Sequence, residues 1–249
     1  MDKQERNLKL TLAYDGTNYH GFQRQKNSIA IQQILEDKLA KLFGHQIKIA
    51  GAGRTDTGVH AYGQVISFFT TGSIPTEKIP LAIQTLLPTD IVVVSAEDVS
   101  LHFHARKSAV SKTYIYRIYQ DKVPNPFWRN YSWHIRRPLD VQAMNNAAQI
   151  LVGTHDFSAF KAVGGVTANP VRTIFEASSC INGSMLEFKF WGTGFLYHMV
   201  RNLVGTLVNV GLGKIDKAAF AAILNSHDRQ KAGATAPPQG LYLQKVYYE

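Results

Sequence analysis

Apolar and polar residues alternate through LKLTLAY (8–14), the two-residue period of a half-buried strand. A loop rich in small and polar residues, DGTNYHGFQRQ, follows. The period then changes: over 30–43, Ile31, Ile34, Leu35, Leu39 and Leu42 fall on one face of an amphipathic helix. A strand is expected over 46–50, then the loop GAGRTDTGVHA (51–61) and the strand GQVISFF. Residues 76–87 predict a helix ending before Pro88, and IVVVSAEDV a buried strand. From about residue 100 the pattern partly restarts. KTYIYRIY alternates as a strand, and Pro124, Pro126 and Pro138 make the next stretch irregular. Asp140 fits an N-cap for a helix with Val141, Met144, Ala148 and Leu151 inward. KAVGGVTANP (161–170) reads as a mobile loop, and INGS joins strands 171–180 and 184–191 in a hairpin. Helices over 195–210 and 216–225 and the strand LYLQKVYY complete the pattern.

Strands and helices mix without strict βαβ alternation, which predicts an α+β fold with a largely antiparallel sheet. No internal sequence repeat is evident. The change of pattern divides the chain into residues 1–105 and 106–249, and 249 residues suffice for a sizeable core. No apolar run approaches the roughly 20 residues that span a bilayer, and MDKQERNLKL lacks the apolar segment of a secretory signal. The single cysteine, Cys180, can form neither an internal disulfide nor a Cys-rich zinc site. A reducing, cytoplasmic setting is expected.

The net charge of +9 favours a polyanionic partner, and its distribution sharpens the point. Residues 102–137 hold eight Lys/Arg against one acid, Asp121, and interleave them with Phe103, Tyr114, Tyr116, Tyr119, Phe127, Trp128, Tyr131 and Trp133. Cations that meet phosphates beside rings that stack on bases suit a nucleic-acid surface. A solvated basic face over an aromatic core fits the same residues.

In the loop GAGRTDTGVHA, Gly51, Gly53 and Gly58 surround Arg54, Asp56 and His60. Asp56 is a candidate catalytic acid; alone it is equally a turn residue that accepts nearby amides. The apolar helix over 195–210 supplies a second signal. On a wheel centred on His198, Gly194, Arg201, Asn202, Gly205 and Asn209 form a polar, small-residue stripe about 100° wide. A buried guanidinium keeps its proton and requires an anion. Arg201 therefore either holds an acid such as Asp56 or lies at the helix edge and reaches water. His102 and His104 share one strand face but lack a third metal ligand. The adjacent His155 and Asp156 do not face each other, and Ser158 and Ser184 lack a nucleophile-elbow context.

Together these blocks resemble one family. GAGRTDTGVHA followed by GQVISF resembles the catalytic loop of the tRNA pseudouridine synthase A family. YDGTNYHGFQRQ, FHARKSAVSKTYIYRIY, FLYHMVRNLVG and APPQGLYLQKVYY resemble its other motifs, in family order and over nearly the whole chain. Phe22 stands where the family often has Trp, and 161–170 matches less well.

The resemblance implies two α/β subdomains on a continuous mixed, mainly antiparallel sheet, with a basic cleft between them. It implies a cytoplasmic homodimer that converts uridines 38, 39 and 40 of the tRNA anticodon arm to pseudouridine, with no cofactor and no metal. By the same resemblance Asp56 is the catalytic carboxylate and Arg201 its partner. Tyr114 packs on the target base, Arg54 is tied to base flipping and Leu243 lines the pocket. Two rivals remain at this stage. A non-catalytic RNA-binding protein would use KTYIYRIY as a stacking platform, although no RNP1-like motif is present. A nucleic-acid hydrolase would ordinarily use several acidic metal ligands, and the loop offers only Asp56.

Overall fold

The computed structural model describes residues 5–162, 164 and 169–249. Of the loop expected over 161–170, residues 163 and 165–168 lie outside the described residues. The chain forms two compact units, Met1–Val110 with Leu243–Glu249, and Ser111–Tyr242. The fold is α+β and its strand pairing is mainly antiparallel, as the sequence pattern implies.

In the first unit, β1 (Arg6–Tyr14) lies between β3 (His60–Thr70) and β4 (Ile91–Val99), antiparallel to both. Leu8, Leu10 and Leu12 alternate inward and are fully buried. They form a core with Phe68 and Ile66 of β3 and with Ile31, Leu35 and Leu39 of α1 (Ile31–Phe43). Gly44, at φ 73°, caps α1 in the left-handed conformation. A shorter helix, α2 (Ile79–Gln84), follows one turn of 3₁₀ helix.

Two expectations need correction here. The strand expected over 46–50 is reduced to β2 (Ala50–Gly51); Ile47 and Ile49 turn inward without a partner strand for the stretch before Ala50. The segment IVVVSAEDV is a strand, but β4 is an edge strand with Val92 and Val94 exposed. A continuous apolar run looks the same from sequence whether one face or two is covered.

The second unit carries β5 (Ala109–Gln120), β9 (Met185–Gly192), β8 (Val171–Asn182) and β7 (Gly153–Asp156) in that spatial order, antiparallel from β5 to β7. The short β6 (Trp133–Ile135) runs parallel to β5. Helices α3 (Val141–Ala148) and α5 (Lys217–Ser226) both begin at aspartate caps. Asp140 accepts the Ala143 N–H and Asp216 the Ala219 N–H, each at 2.8 Å. They pack with the apolar α4 (Met199–Gly211).

The sequence division at 105/106 keeps the C-terminal strand with the second half. The units found divide at Val110/Ser111, and β10 (Leu241–Tyr248) returns to the first unit from Leu243 onward. Its registry there is physical. The Gly63 position leaves no room for a Cβ against Gln244 O, and the Tyr248 hydroxyl donates to Ala105 O at 2.7 Å. The Tyr248 ring lies 4.9 Å from that of Phe103.

In the first unit β1 and β4 are clamped at one end by Arg6, which donates to both carboxylate oxygens of Asp98 at 2.7 Å and to Ile74 O at 2.9 Å. Thr76 bonds the same carboxylate. The Arg6 hydrogen bond holds the Asp98 carboxyl below the usual carboxylate range. A depressed carboxylate stabilises the fold above its unfolded pKa, and that contribution is lost as pH falls through the folded value. Asp98→Asn is therefore expected to lower stability at neutral pH by about 0.2–1 kcal/mol, since the pair is partly solvated. Urea denaturation as a function of pH checks this: the gap to wild type closes as pH falls below about 4.

Candidate active site

The loop over 51–61 is braced from two sides. From β3, Gln64 donates to Gly53 O at 2.9 Å, and Val65 O accepts the Ala52 N–H at 2.8 Å. From the segment 14–22, the Tyr14 hydroxyl shares a 2.8 Å hydrogen bond with Thr55 Oγ1 in a fully buried position. Burial pushes the Tyr14 phenol up to about 12, offset in part by its bonds with Thr55 and Gln64. The phenol thus stays a neutral donor. The Phe22 N–H donates to Thr55 O at 3.1 Å and the Gly58 N–H to Tyr19 O at 3.3 Å. Gly21, at φ 82°, lies so close that a Cβ there would sit 2.6 Å from Thr55 O and 3.2 Å from the carbonyl carbon of Asp56. Only glycine permits that approach.

Asp56 rides on this turn. Its carbonyl accepts the Val59 N–H at 3.1 Å, and its side chain is half-buried while Thr55 and Val59 on either side are buried. Arg54 is exposed, and its Nε donates to Gln23 Oε1 at 3.1 Å. Leu243 of β10 is fully buried.

In the second unit the helix expected over 195–210 begins four residues later. Residues 195–198 form a turn that ends with His198 in the left-handed region at φ 58°, and α4 starts at Met199. Gly194 and His198 therefore leave the helical stripe. Arg201, Asn202, Gly205 and Asn209 remain on it, and they face residues 229–237. Arg201 Nε donates to Ala236 O at 2.7 Å, while Ala236 N donates back to Arg201 O at 3.1 Å. Asn202, with no exposed surface, accepts from Arg229 Nη2 at 3.0 Å and Thr235 Oγ1 at 2.7 Å, and donates to Phe160 O at 2.8 Å. The Thr206 hydroxyl accepts the Gly233 N–H at 2.9 Å.

The buried polar stripe is thus satisfied largely by an extended segment laid along the helix, which fixes the backbone beneath Arg201. Tyr116 is buried beside it and donates to Pro237 O at 2.7 Å. Burial raises its phenol well above the ordinary value, and the positive charge of Arg201 pulls the other way.

Tyr114 on β5 is 8% exposed, and its ring meets the edge of Phe195 at 5.0 Å. Within each unit, then, Arg54 and Asp56 share one braced turn, and Tyr114 and Arg201 each sit on a fixed element. Sequence reasoning did not single out Arg229, Thr235 or Phe195. Asn202 entered only as part of the stripe. The signal for Arg229 and Thr235 was indirect: a buried asparagine on an apolar helix demands partners from somewhere else in the chain.

The basic, aromatic stretch over 102–137 divides in two. Arg117 pairs with Glu187 at 2.9 Å and lies 4.7 Å over the Tyr242 ring, so it is structural. Arg106, Lys107, Lys122, Arg129, Arg136 and Arg137 are exposed, as is Phe127 at 81%. Tyr116 is fully buried, with Trp133 at its edge, which removes it from any open stacking face on KTYIYRIY. His102 and His104 lie in turns, not on a strand, and His104 Nδ1 accepts the Arg106 N–H at 3.1 Å.

A family model described as tRNA pseudouridine synthase matches residues 11–106 and 147–249. The chain is 50% identical over 243 residues to tRNA pseudouridine synthase A of Thermoanaerobacter pseudethanolicus (strain ATCC 33223 / 39E), covering 98% of this chain and 100% of that protein. It is 44% identical to tRNA pseudouridine synthase A of Acetivibrio thermocellus, with the same coverage of both chains. With that of Lacticaseibacillus casei (strain BL23) it shares 47% identity, over 96% of this chain and 98% of the other. The chain belongs to the tRNA pseudouridine synthase family. Its members are isomerases acting on uridine in tRNA, and the relatives above all carry the name tRNA pseudouridine synthase A.

The contact between α4 and residues 233–236 is testable. A Cβ at Gly205 would lie 1.8 Å from Ala234 O, so the segment must shift to accept it. Gly205→Ala is expected to destabilise by about 1–3 kcal/mol, as overpacking does. The midpoint of thermal unfolding then falls by roughly 2–4 °C per kcal/mol.

Proposed function

We propose that this chain converts uridines 38, 39 and 40 of the tRNA anticodon arm to pseudouridine, with Asp56 as its catalytic carboxylate. Family membership supplies the coarser part of this reading, an isomerase acting on uridine in tRNA. The observation that carries the residue assignment is the bracing of the Asp56 turn. Its backbone is fixed by Tyr14, Tyr19, Phe22 and Gln64, while the carboxylate-bearing side chain is left half-buried. A catalytic group gains most when its backbone cannot move and its functional atoms are reachable. A homodimer in the cytoplasm belongs to the same reading.

The reaction breaks the N1–C1′ bond, turns the uracil and joins C5 to C1′. It is neither a redox reaction nor a hydrolysis. A carboxylate serves it by attacking carbon, by stabilising an electron-poor sugar, or by moving the 2′ proton. Attack at C6, attack at C1′ and a glycal route all place Asp56 at the reacting nucleotide. In this reading Arg201 keeps the carboxylate ionised and oriented through a charge-assisted hydrogen bond. Tyr114 packs on the detached uracil, Leu243 lines its pocket, and Arg54 assists extrusion of a nucleotide that starts in a paired stem. The buried state of Tyr116 disfavours the rival of an open stacking platform.

The decisive experiment is pseudouridine mapping on unmodified tRNA and on an anticodon stem-loop, in EDTA. Pseudouridine at 38, 39 or 40 supports the proposal, and cleavage or an unchanged RNA overturns it. Asp56→Asn is expected to bind tRNA normally and to form no pseudouridine, because the amide is neutral and a poor nucleophile.

A second test addresses Arg201. Arg201→Met removes the guanidinium and its bond to Ala236 O but keeps an apolar stem of similar length, so stability changes little. Catalysis is expected to fall severely, and Arg201→Lys to restore little of it, since an ammonium lacks the planar fork. In a double-mutant cycle on kcat/KM, Asp56→Asn and Arg201→Met are expected to be strongly non-additive. Additivity would separate the two residues.

A further inference from the structure

His60, where the loop passes into β3, is buried, with 2% of its surface exposed. Its Nδ1 lies 3.0 Å from the Gly16 amide nitrogen, and the N–H points at it. Gly16 is pressed against the loop: a Cβ there would sit 2.0 Å from Val59 O and 2.6 Å from Val59 C. The segment 14–22 thus meets the loop at three backbone points. Phe22 N reaches Thr55 O, Gly58 N reaches Tyr19 O, and Gly16 N reaches the His60 ring. The first two are bonds between main-chain atoms alone. The third depends on one side chain. Asp56 lies between these fixed points, tied to Val59 by its own carbonyl.

We propose that His60 is a positioning residue for the isomerase reaction, its Nδ1 accepting the Gly16 N–H and so fixing the turn that carries Asp56. The inference rests on the reading of Asp56 as the catalytic carboxylate. With Nδ1 accepting, the ring proton sits on Nε2. Asp15 Oδ1 also lies 3.1 Å from Nδ1, but that carboxylate oxygen already accepts from Thr17 N at 2.9 Å and Thr17 Oγ1 at 2.5 Å. One nitrogen cannot accept from Gly16 and donate to Asp15 together. The geometry of the Gly16 N–H selects the first role. Loss of the acceptor leaves a buried amide unpaired, a cost that displacement of the Gly16 turn relieves. Asp56 then shifts with Val59.

The two amide side chains separate this role from simple packing. Asparagine places its Oδ1 where histidine places Nδ1, so His60→Asn keeps the acceptor. Glutamine places its oxygen nearer the Nε2 position, so His60→Gln does not. Single-turnover kinetics with saturating tRNA are the measurement, on protein shown folded by its thermal transition. His60→Gln is expected to lose on the order of 100-fold in the chemical rate, the scale of a misplacement of about 1 Å. Its KM for tRNA is expected to change little, and His60→Asn to recover most of the lost rate. Asp15→Asn is expected to keep the wild-type rate. Equal rates for the Asn and Gln variants, or a loss in Asp15→Asn as deep as in His60→Gln, would overturn the proposal. Failure of the underlying reading looks different: the wild-type protein would then form no pseudouridine, or Asp56→Asn would form it normally.

Discussion

Gly21 and Gly16 lie against the backbone of residues 55–59 with no room for a Cβ, and the order of the Asp56 turn depends on that contact. The Asp56 side chain is only half-buried, so burial alone does not lock it. Its order has to come from the main chain beneath it. Here that main chain is held between β3, through Gln64, and the segment 14–22, through Tyr14, Tyr19 and Phe22. The two sequence blocks YDGTNYHGFQRQ and GAGRTDTGVHA are therefore one object in space. The first is the support and the second the turn it holds.

The same solution recurs on α4 in the other unit. A helix buried on most of its surface carries Arg201, Asn202, Gly205 and Asn209 along one stripe. Residues 232–237, which follow a 3₁₀ turn at Arg229–Lys231, lie close along it because Gly205 has no side chain, and Asn202 and Thr206 convert that closeness into hydrogen bonds. Arg229 adds bonds to Ala232 O, Gly233 O and Asn202. Asn202, Thr206, Arg229 and Thr235 are linked with this segment as a network, which gives rigidity where an isolated buried amide would cost stability.

Much of this was legible in the sequence where the determinants are local. The alternation in LKLTLAY and KTYIYRIY, the caps Asp140 and Asp216, and the INGS turn each state their structure within a few residues. Asp56 and Arg201 stood out through their surroundings and through family motifs. What was not legible is set by partners elsewhere in the chain. The edge position of β4 depends on which strand pairs with β1. The run before Ala50 has the right residues for a strand and, among the described residues, no strand paired with it. The late start of α4 follows from a positive φ at His198, a conformation that a non-glycine residue does not announce. The partners of Asn202 lie as far away as Phe160, and Thr235 sits on a stretch without regular structure.

The return of Leu243–Glu249 to the first unit bears on how the protein is made. A ribosome delivers Met1–Val110 first, yet that unit lacks a strand until all of Ser111–Tyr242 has emerged. The usual order, in which the earlier-synthesised domain folds first, is thereby inverted. During translation β3 waits with one flank only partly covered by β2, and its Gly63 position stays open until Gln244 arrives. The turn bearing Asp56, which leads into β3, reaches its finished support only after the second unit has been synthesised. A nascent chain stalled short of β10 would hold the motif residues of the loop in full and still lack the sheet that steadies them.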